Sequence, residues 1–177
     1  MKLVILDRDG VINYDSDAYI KNPDEWRAIP GSVEAIAKLT QSGYHVVVAT
    51  NQSGIGRGLF EMATLNAIHD RMYRAVAIAG GRIDAVFYCP HGQEANCYCR
   101  KPKPGLFEEI GRRFNTLLKD VPAIGDSPRD LEAAALMGAQ PILVLTGKGA
   151  QTKREGNLPP GTRVYADLAA AVKFITK

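Results

Sequence analysis

Four bulky apolar residues, Leu3-Val4-Ile5-Leu6, run without a break into Asp7-Arg8-Asp9-Gly10. A strand lacking polar alternation has both faces buried, and such strands belong to parallel sheets covered by helices on either side. This short run therefore directs the chain towards an α/β architecture. In open sheets of that kind, ligands sit in the crevice beyond the carboxyl ends of the strands. Two carboxylates and a glycine leave the first strand at that place.

The same rhythm continues to the end of the chain. Strands are predicted at His45–Ala49, Ala85–Tyr88, Val121–Ile124, Pro141–Leu145 and Arg163–Tyr165, separated by helical periodicity. Pro30-Gly31-Ser32 opens a helix carrying Val33, Ile36, Ala37 and Leu39, and Gly43 closes it. Met62, Leu65, Ile68, Met72 and Val76 recur at helical spacing up to Gly80-Gly81. Leu106, Phe107, Ile110, Phe114, Leu117 and Leu118 line a further helix, and a last one starts from Asp167. Ser127 caps a helix with Pro128 at its first position and Asp130 three residues after the cap. The expected fold is a doubly wound, mainly parallel sheet with helices on both faces, in one domain over residues 1–177 without a large cap. Two polar, irregular stretches interrupt it: a flap at 13–29 and a loop at 89–105. Both leave strand ends and can overhang one crevice.

Composition excludes some classes. The net charge of +3 comes from scattered Lys and Arg, which argues against a nucleic-acid partner. No apolar run approaches the ~18 residues of a membrane span. Leu3–Leu6 is too short for a signal-peptide core, so a cytoplasmic monomer without a membrane partner is expected.

Four strand ends carry polar groups: Asp7 and Asp9; Thr50-Asn51-Gln52-Ser53; Arg100-Lys101 beyond the third strand; and Gly125-Asp126. Phosphoryl transfer needs a nucleophile, a divalent cation, donors for the equatorial oxygens and a fixed positive charge. Asp7 fits the nucleophile, forming an aspartyl phosphate. Asp7, Asp126 and the Asp9 backbone carbonyl suit Mg²⁺, with Asp130 supporting from behind. The Asp9 side chain suits general acid and base work. Thr50 and nearby amides would hold phosphoryl oxygens, and Lys101 would neutralise charge. Taken singly, each has a bland reading as a turn residue, a helix cap or a solvated lysine. Their order at successive strand ends favours the chemical one. A phospho-receiver domain would need its aspartate after the third strand, where Tyr88-Cys89 stands. A non-catalytic binding module is the other alternative.

Cys89, His91, Cys97 and Cys99 form a second group. Three thiolates and an imidazole close a tetrahedral Zn²⁺ shell with no open position, so the site would be structural. The alternative is reduced, partly buried cysteines beside a surface histidine. Arg100 follows the last cysteine and could grip a distal phosphate or a sugar hydroxyl bidentately. His45 and His69 read as strand-edge and helix-surface residues without chemistry.

Asp-x-Asp-x-Gly after strand one, Thr-Asn-Gln after strand two, Lys before Pro, and Gly-Asp-x-x-x-Asp after strand four resemble the haloacid-dehalogenase-like phosphatases over essentially the whole chain. Cys99-Arg100-Lys101-Pro102-Lys103-Pro104-Gly105 and Thr50-Asn51-Gln52-Ser53-Gly54-Ile55-Gly56-Arg57-Gly58 are similar to the capless branch that carries a zinc loop. That resemblance implies a sugar bisphosphate substrate, a heptose bisphosphate of lipopolysaccharide-core synthesis, with histidinol phosphate as the rival. It also implies substrate contacts from Asp15, Tyr19, Asn51, Gln52, Ser53 and Arg100, the last setting specificity.

Overall fold

A computed structural model describes all 177 residues. Six strands, β1 (Leu3–Leu6), β2 (His45–Asn51), β3 (Ala85–Cys89), β4 (Pro122–Gly125), β5 (Gln140–Val144) and β6 (Arg163–Tyr165), form one sheet in the order β3-β2-β1-β4-β5-β6. Every pairing is parallel. The helices are α1 (Ser32–Gln41), α2 (Ser53–Gly56), α3 (Met62–Ile78), α4 (Gly105–Arg113), α5 (Pro128–Leu136), α6 (Gly149–Glu155) and α7 (Leu168–Ile175). The strand order reverses direction between β1 and β4, which makes the crevice at their carboxyl ends the switch point of the sheet.

The side-chain period of two divides the core between the sheet faces. Val4, Leu6, Val46 and Val48 join Ile36, Leu39, Ile68, Met72 and Val172, from α1, α3 and α7, on one face. Leu3, Ile5, Val47 and Ala49 join Leu106, Phe107, Ile110, Ala133 and Ala134, from α4 and α5, on the other. No residue of β1 is more than 2 % exposed, as two-sided burial requires.

Several local expectations need correction. α4 stops at Arg113 instead of continuing to Leu118, and Leu117 is 86 % exposed. Phe114 and Leu118 still pack on the core, but from a turn in which Asn115 takes the left-handed conformation (φ 48°) and ends the helix. β4 begins at Pro122 and reaches Gly125. The short helices α2 and α6 were not foreseen, since four and seven residues leave little periodicity to read. His69 is not on the surface of α3. Only 6 % of it is exposed, and it faces inward.

Candidate active site

Asp7 leaves β1 and Asp126 leaves β4, so adjacent parallel strands deliver both carboxylates to the switch point. Gly10 lets them meet: it sits at φ +84°, and a Cβ there would run into the Asp126 carboxylate. Lys101 is 2 % exposed. Its Nζ donates to Asp7 Oδ1 (3.1 Å), Ala49 O (2.7 Å) and Asp130 Oδ1 (2.6 Å), which uses all three ammonium protons. Asp130 Oδ2 accepts from the Asp126 and Ser127 amides and from the Ser127 hydroxyl, at 3.0–3.2 Å. Capping box and lysine anchor are thus one residue, and both Asp130 oxygens are committed. Asn51 docks the lysine's backbone onto β2: Lys101 N–H donates to its Oδ1 (3.0 Å), and its Nδ2 donates to Lys101 O (3.1 Å).

The group carries more negative than positive charge. Burial, helped by Asp130, pushes Asp7 up to about 7 despite Lys101. Burial, with Asp130 and Asp7, pushes Asp126 up to about 8. Burial also works against charge on Asp130, yet Lys101 and the Ser127 donors hold it below the usual carboxylate range. Oxygens of Asp7, Asp126 and Asp130 lie within 4.8 Å of one another. A cluster of hard oxygen donors whose charges resist ionisation fits a bound Mg²⁺, which would remove that resistance. With Asp130 occupied, Asp7 and Asp126 are the carboxylates left to hold it.

These residues floor a cleft of about 210 Å³. Asp9, Thr50, Asn51, Gln52, Ser53 and Arg100 line it, as do Asp15 and Tyr19 from the flap. The flap is pinned by buried Ile20 and Trp26. Thr50 Oγ1 accepts from Gln52 Nε2 (2.9 Å), and Gln52 Nε2 also donates to Asp9 Oδ2 (3.2 Å). Sequence reasoning left Arg57, Arg129 and Lys148 without a role, yet all three line the cleft. Lys148 N–H donates to Asp126 Oδ2 (2.9 Å), and its Nζ lies 3.7 Å from Asp15 Oδ2, which ties the flap to the metal ligands. Gly147-Lys148-Gly149 at the exit of β5 was the available signal.

Cys89, His91, Cys97 and Cys99 converge as a second cluster beside the cleft. Cys97 Sγ lies 3.5 Å from Cys89 Sγ and 3.7 Å from Cys99 Sγ. His91 Nδ1 lies 3.5 Å from Cys89 Sγ and 3.4 Å from Cys99 Sγ. A tetrahedron with Zn–S and Zn–N bonds of ordinary length has edges of about 3.8 and 3.6 Å. These four edges match; Cys89–Cys99, at 2.7 Å, is shorter. Burial opposes ionisation of Cys97, but the Arg100 amide and the neighbouring thiols bring it down to about 6, ready to bind as thiolate. The donor set fits a closed zinc site. Cys99→Ser is expected to remove the zinc, about one ion per chain by mass spectrometry. It should also lower turnover at least ~10-fold, because Lys101 is fixed two residues further on.

A crevice already too negative accepts a phosphate dianion only with a divalent cation present, so fold and site together define a metal-dependent phosphoryl-transfer protein. Relatives narrow that class. Residues 98–171 match the HAD-hydrolase-like family model, and residues 2–127 match that of the polynucleotide kinase 3 phosphatases. The D-glycero-beta-D-manno-heptose-1,7-bisphosphate 7-phosphatase of Bordetella bronchiseptica is 61 % identical, over 98 % of this chain and 97 % of its own. The Pseudomonas putida enzyme of the same name is 55 % identical, over 98 % of each chain. A crystal structure of the Bordetella bronchiseptica phosphatase, complexed with magnesium and phosphate, superposes with a TM-score of 0.98 at 60 % identity, covering 99 % of this chain and 98 % of that one. The chain belongs to the haloacid-dehalogenase-like phosphatases, in the group formed by these 7-phosphatases.

Proposed function

We propose that this chain is a phosphoric monoester hydrolase that removes the 7-phosphate of D-glycero-D-manno-heptose 1,7-bisphosphate, a step of nucleotide-heptose synthesis. Asp7 attacks phosphorus, and the bond to the sugar oxygen breaks as Asp9 supplies its proton. Asp9 then takes a proton from the water that attacks the aspartyl phosphate, which releases phosphate and restores Asp7. Magnesium, when bound, screens the attacking carboxylate from the phosphate dianion. Lys101, held rigid by Asp130 and Ala49, keeps Asp7 oriented and meets the charge that develops on the phosphoryl oxygens. Thr50 holds those oxygens beside it. Every group the reaction needs comes from one chain, so we read it as a single-domain monomer. Three thiols kept reduced for a metal suit the cytoplasm. No helix is long and apolar enough to cross a membrane.

One observation favours a bisphosphate over histidinol phosphate. Arg57, Arg100 and Arg129 line the same cleft, and none makes an ion pair with a carboxylate. Arg100 is held below the usual arginine range by burial first, then by the repulsion of Arg129 and Arg57. Guanidinium groups gathered without a counter-charge make a site for a second anion, and the distal phosphate of a bisphosphate supplies one. Phosphate release compared across heptose 1,7-bisphosphate, hexose bisphosphates and histidinol phosphate tests the reading as kcat/KM. Arg100→Ala is expected to cost ~10–100-fold in kcat/KM on the heptose bisphosphate and little on histidinol phosphate. A wild-type preference for histidinol phosphate would overturn the substrate.

A further inference from the structure

Arg8 is the largest side chain buried without any exposure, and no step of the reaction above uses it. It stands between Asp7 and Asp9, yet its guanidinium points towards α3. Its Nε donates to Asp9 Oδ1 (3.0 Å), its Nη2 lies 3.0 Å from Oδ1 and 3.3 Å from Oδ2, and its Nη1 meets His69 Nε2 at 3.1 Å. Arginine has no acceptor, so His69 must accept at Nε2 and carry its proton on Nδ1. Burial and the Arg8 charge push His69 down to about 3, so it stays neutral and able to accept.

The two oxygens of Asp9 are not equivalent in this clamp. Oδ1 also accepts from Asn13 Nδ2 (2.9 Å), which gives it three close donors. Oδ2 has only the longer contacts, to Arg8 Nη2 (3.3 Å) and Gln52 Nε2 (3.2 Å). The geometry assigns His69, through Arg8, as a positioning residue that turns Asp9 so that Oδ2 exchanges the proton with the leaving oxygen and then with water. The assignment rests on the acid–base role proposed for Asp9. A fork that grips both oxygens fixes the carboxylate plane only while the third arm of the guanidinium is itself held, and His69 is its holder.

The test compares rates on the heptose bisphosphate with those on p-nitrophenyl phosphate, whose phenolate departs without needing a proton. A ratio of the two rates does not depend on how much of a variant is folded. His69→Leu and His69→Asn, one without an acceptor and one too short to reach Arg8, are expected to lose ~10–100-fold in kcat/KM on the sugar phosphate, since that quantity covers the steps up to departure of the leaving group. Loss of kcat/KM on the aryl phosphate should stay under ~3-fold, because the water step that also uses Asp9 comes after its phenolate has left. His69→Gln, which returns a carbonyl oxygen, should recover most of the ratio. Equal losses on both substrates, or none, would overturn the assignment. Asp9→Asn run beside them separates the two readings. If it shows the leaving-group bias and the His69 variants do not, only the clamp fails; if it shows none, the acid–base role itself fails.

Discussion

Asp7→Asn is expected to lower phosphate release by ~10³-fold or more, with KM for the bisphosphate within a few fold of wild type. An amide nitrogen has no pair to give phosphorus, and an amide oxygen is a poor nucleophile, so the covalent step is lost while the cleft keeps its shape. Folding should survive. Lys101 Nζ reaches Asp7 Oδ1, an oxygen that the amide retains. Without metal the variant should also be the more stable protein at pH 8. The folded state raises Asp7 from 3.8 to about 7. Between those values the native protein holds a proton that the unfolded chain has released, so stability falls as pH rises. A neutral amide does not pay that penalty. Thermal melts in EDTA should show the Asp7→Asn Tm equal to or above wild type at pH 8, and the advantage should vanish near pH 4. A folded variant retaining more than ~1 % of wild-type turnover would move the nucleophile elsewhere.

What could be read from the sequence follows from how each residue does its work. β1 was legible because all four of its residues are buried, which leaves an unbroken apolar run. Asp7, Thr50 and Asp126 were legible because a parallel sheet brings the residues at the carboxyl ends of its strands to the crevice. The cysteine cluster was legible because its four residues fall within eleven positions, from the last residue of β3 into the loop that follows. Arg57, Arg129 and Lys148 were not: an arginine before a glycine or within a capping sequence looks like solvated surface until other chain segments come beside it. His69 was hidden by the same limit. Its position on α3 fits a helical face, but the group that makes it useful, Arg8, lies 61 residues away. Asp130 was legible as a cap, and its grip on Lys101 was not, since nothing local joins residues 29 apart. Tertiary pairings of charges leave no local pattern, while strand exits and metal loops do.

Removing that lysine should have the largest effect on stability. In Lys101→Met, Asp7 and Asp130 remain buried with no ammonium between them. Stripping one partner from a buried ion pair costs roughly 3–5 kcal/mol. For a chain of this length that corresponds to a Tm about 6–20 °C lower. The sign of the pH dependence distinguishes this cause from lost packing. Wild-type Asp130 is held below its usual range in the folded state by Lys101 and Ser127. The stability it contributes is therefore present above pH ~4 and lost as pH falls further. Without Lys101, burial and Asp7 act on Asp130 against the Ser127 donors alone and push it upward, as burial and its neighbours already do to Asp126. The two proteins should then differ most at pH 8 and least near pH 5, where the crowded carboxylates take up protons. Saturating Mg²⁺ should restore part of the gap at pH 8 and little of it at pH 5, because protons and metal compete for the same oxygens. Turnover should fall by ~10³-fold at either pH, since neither remedy returns a fixed cation to the phosphoryl oxygens. A Lys101→Met Tm within ~2 °C of wild type at pH 8 would mean that the carboxylates are relieved by solvent. The clamp formed by Asp7, Lys101 and Asp130 would then not be what holds β1, β4 and the zinc loop in register.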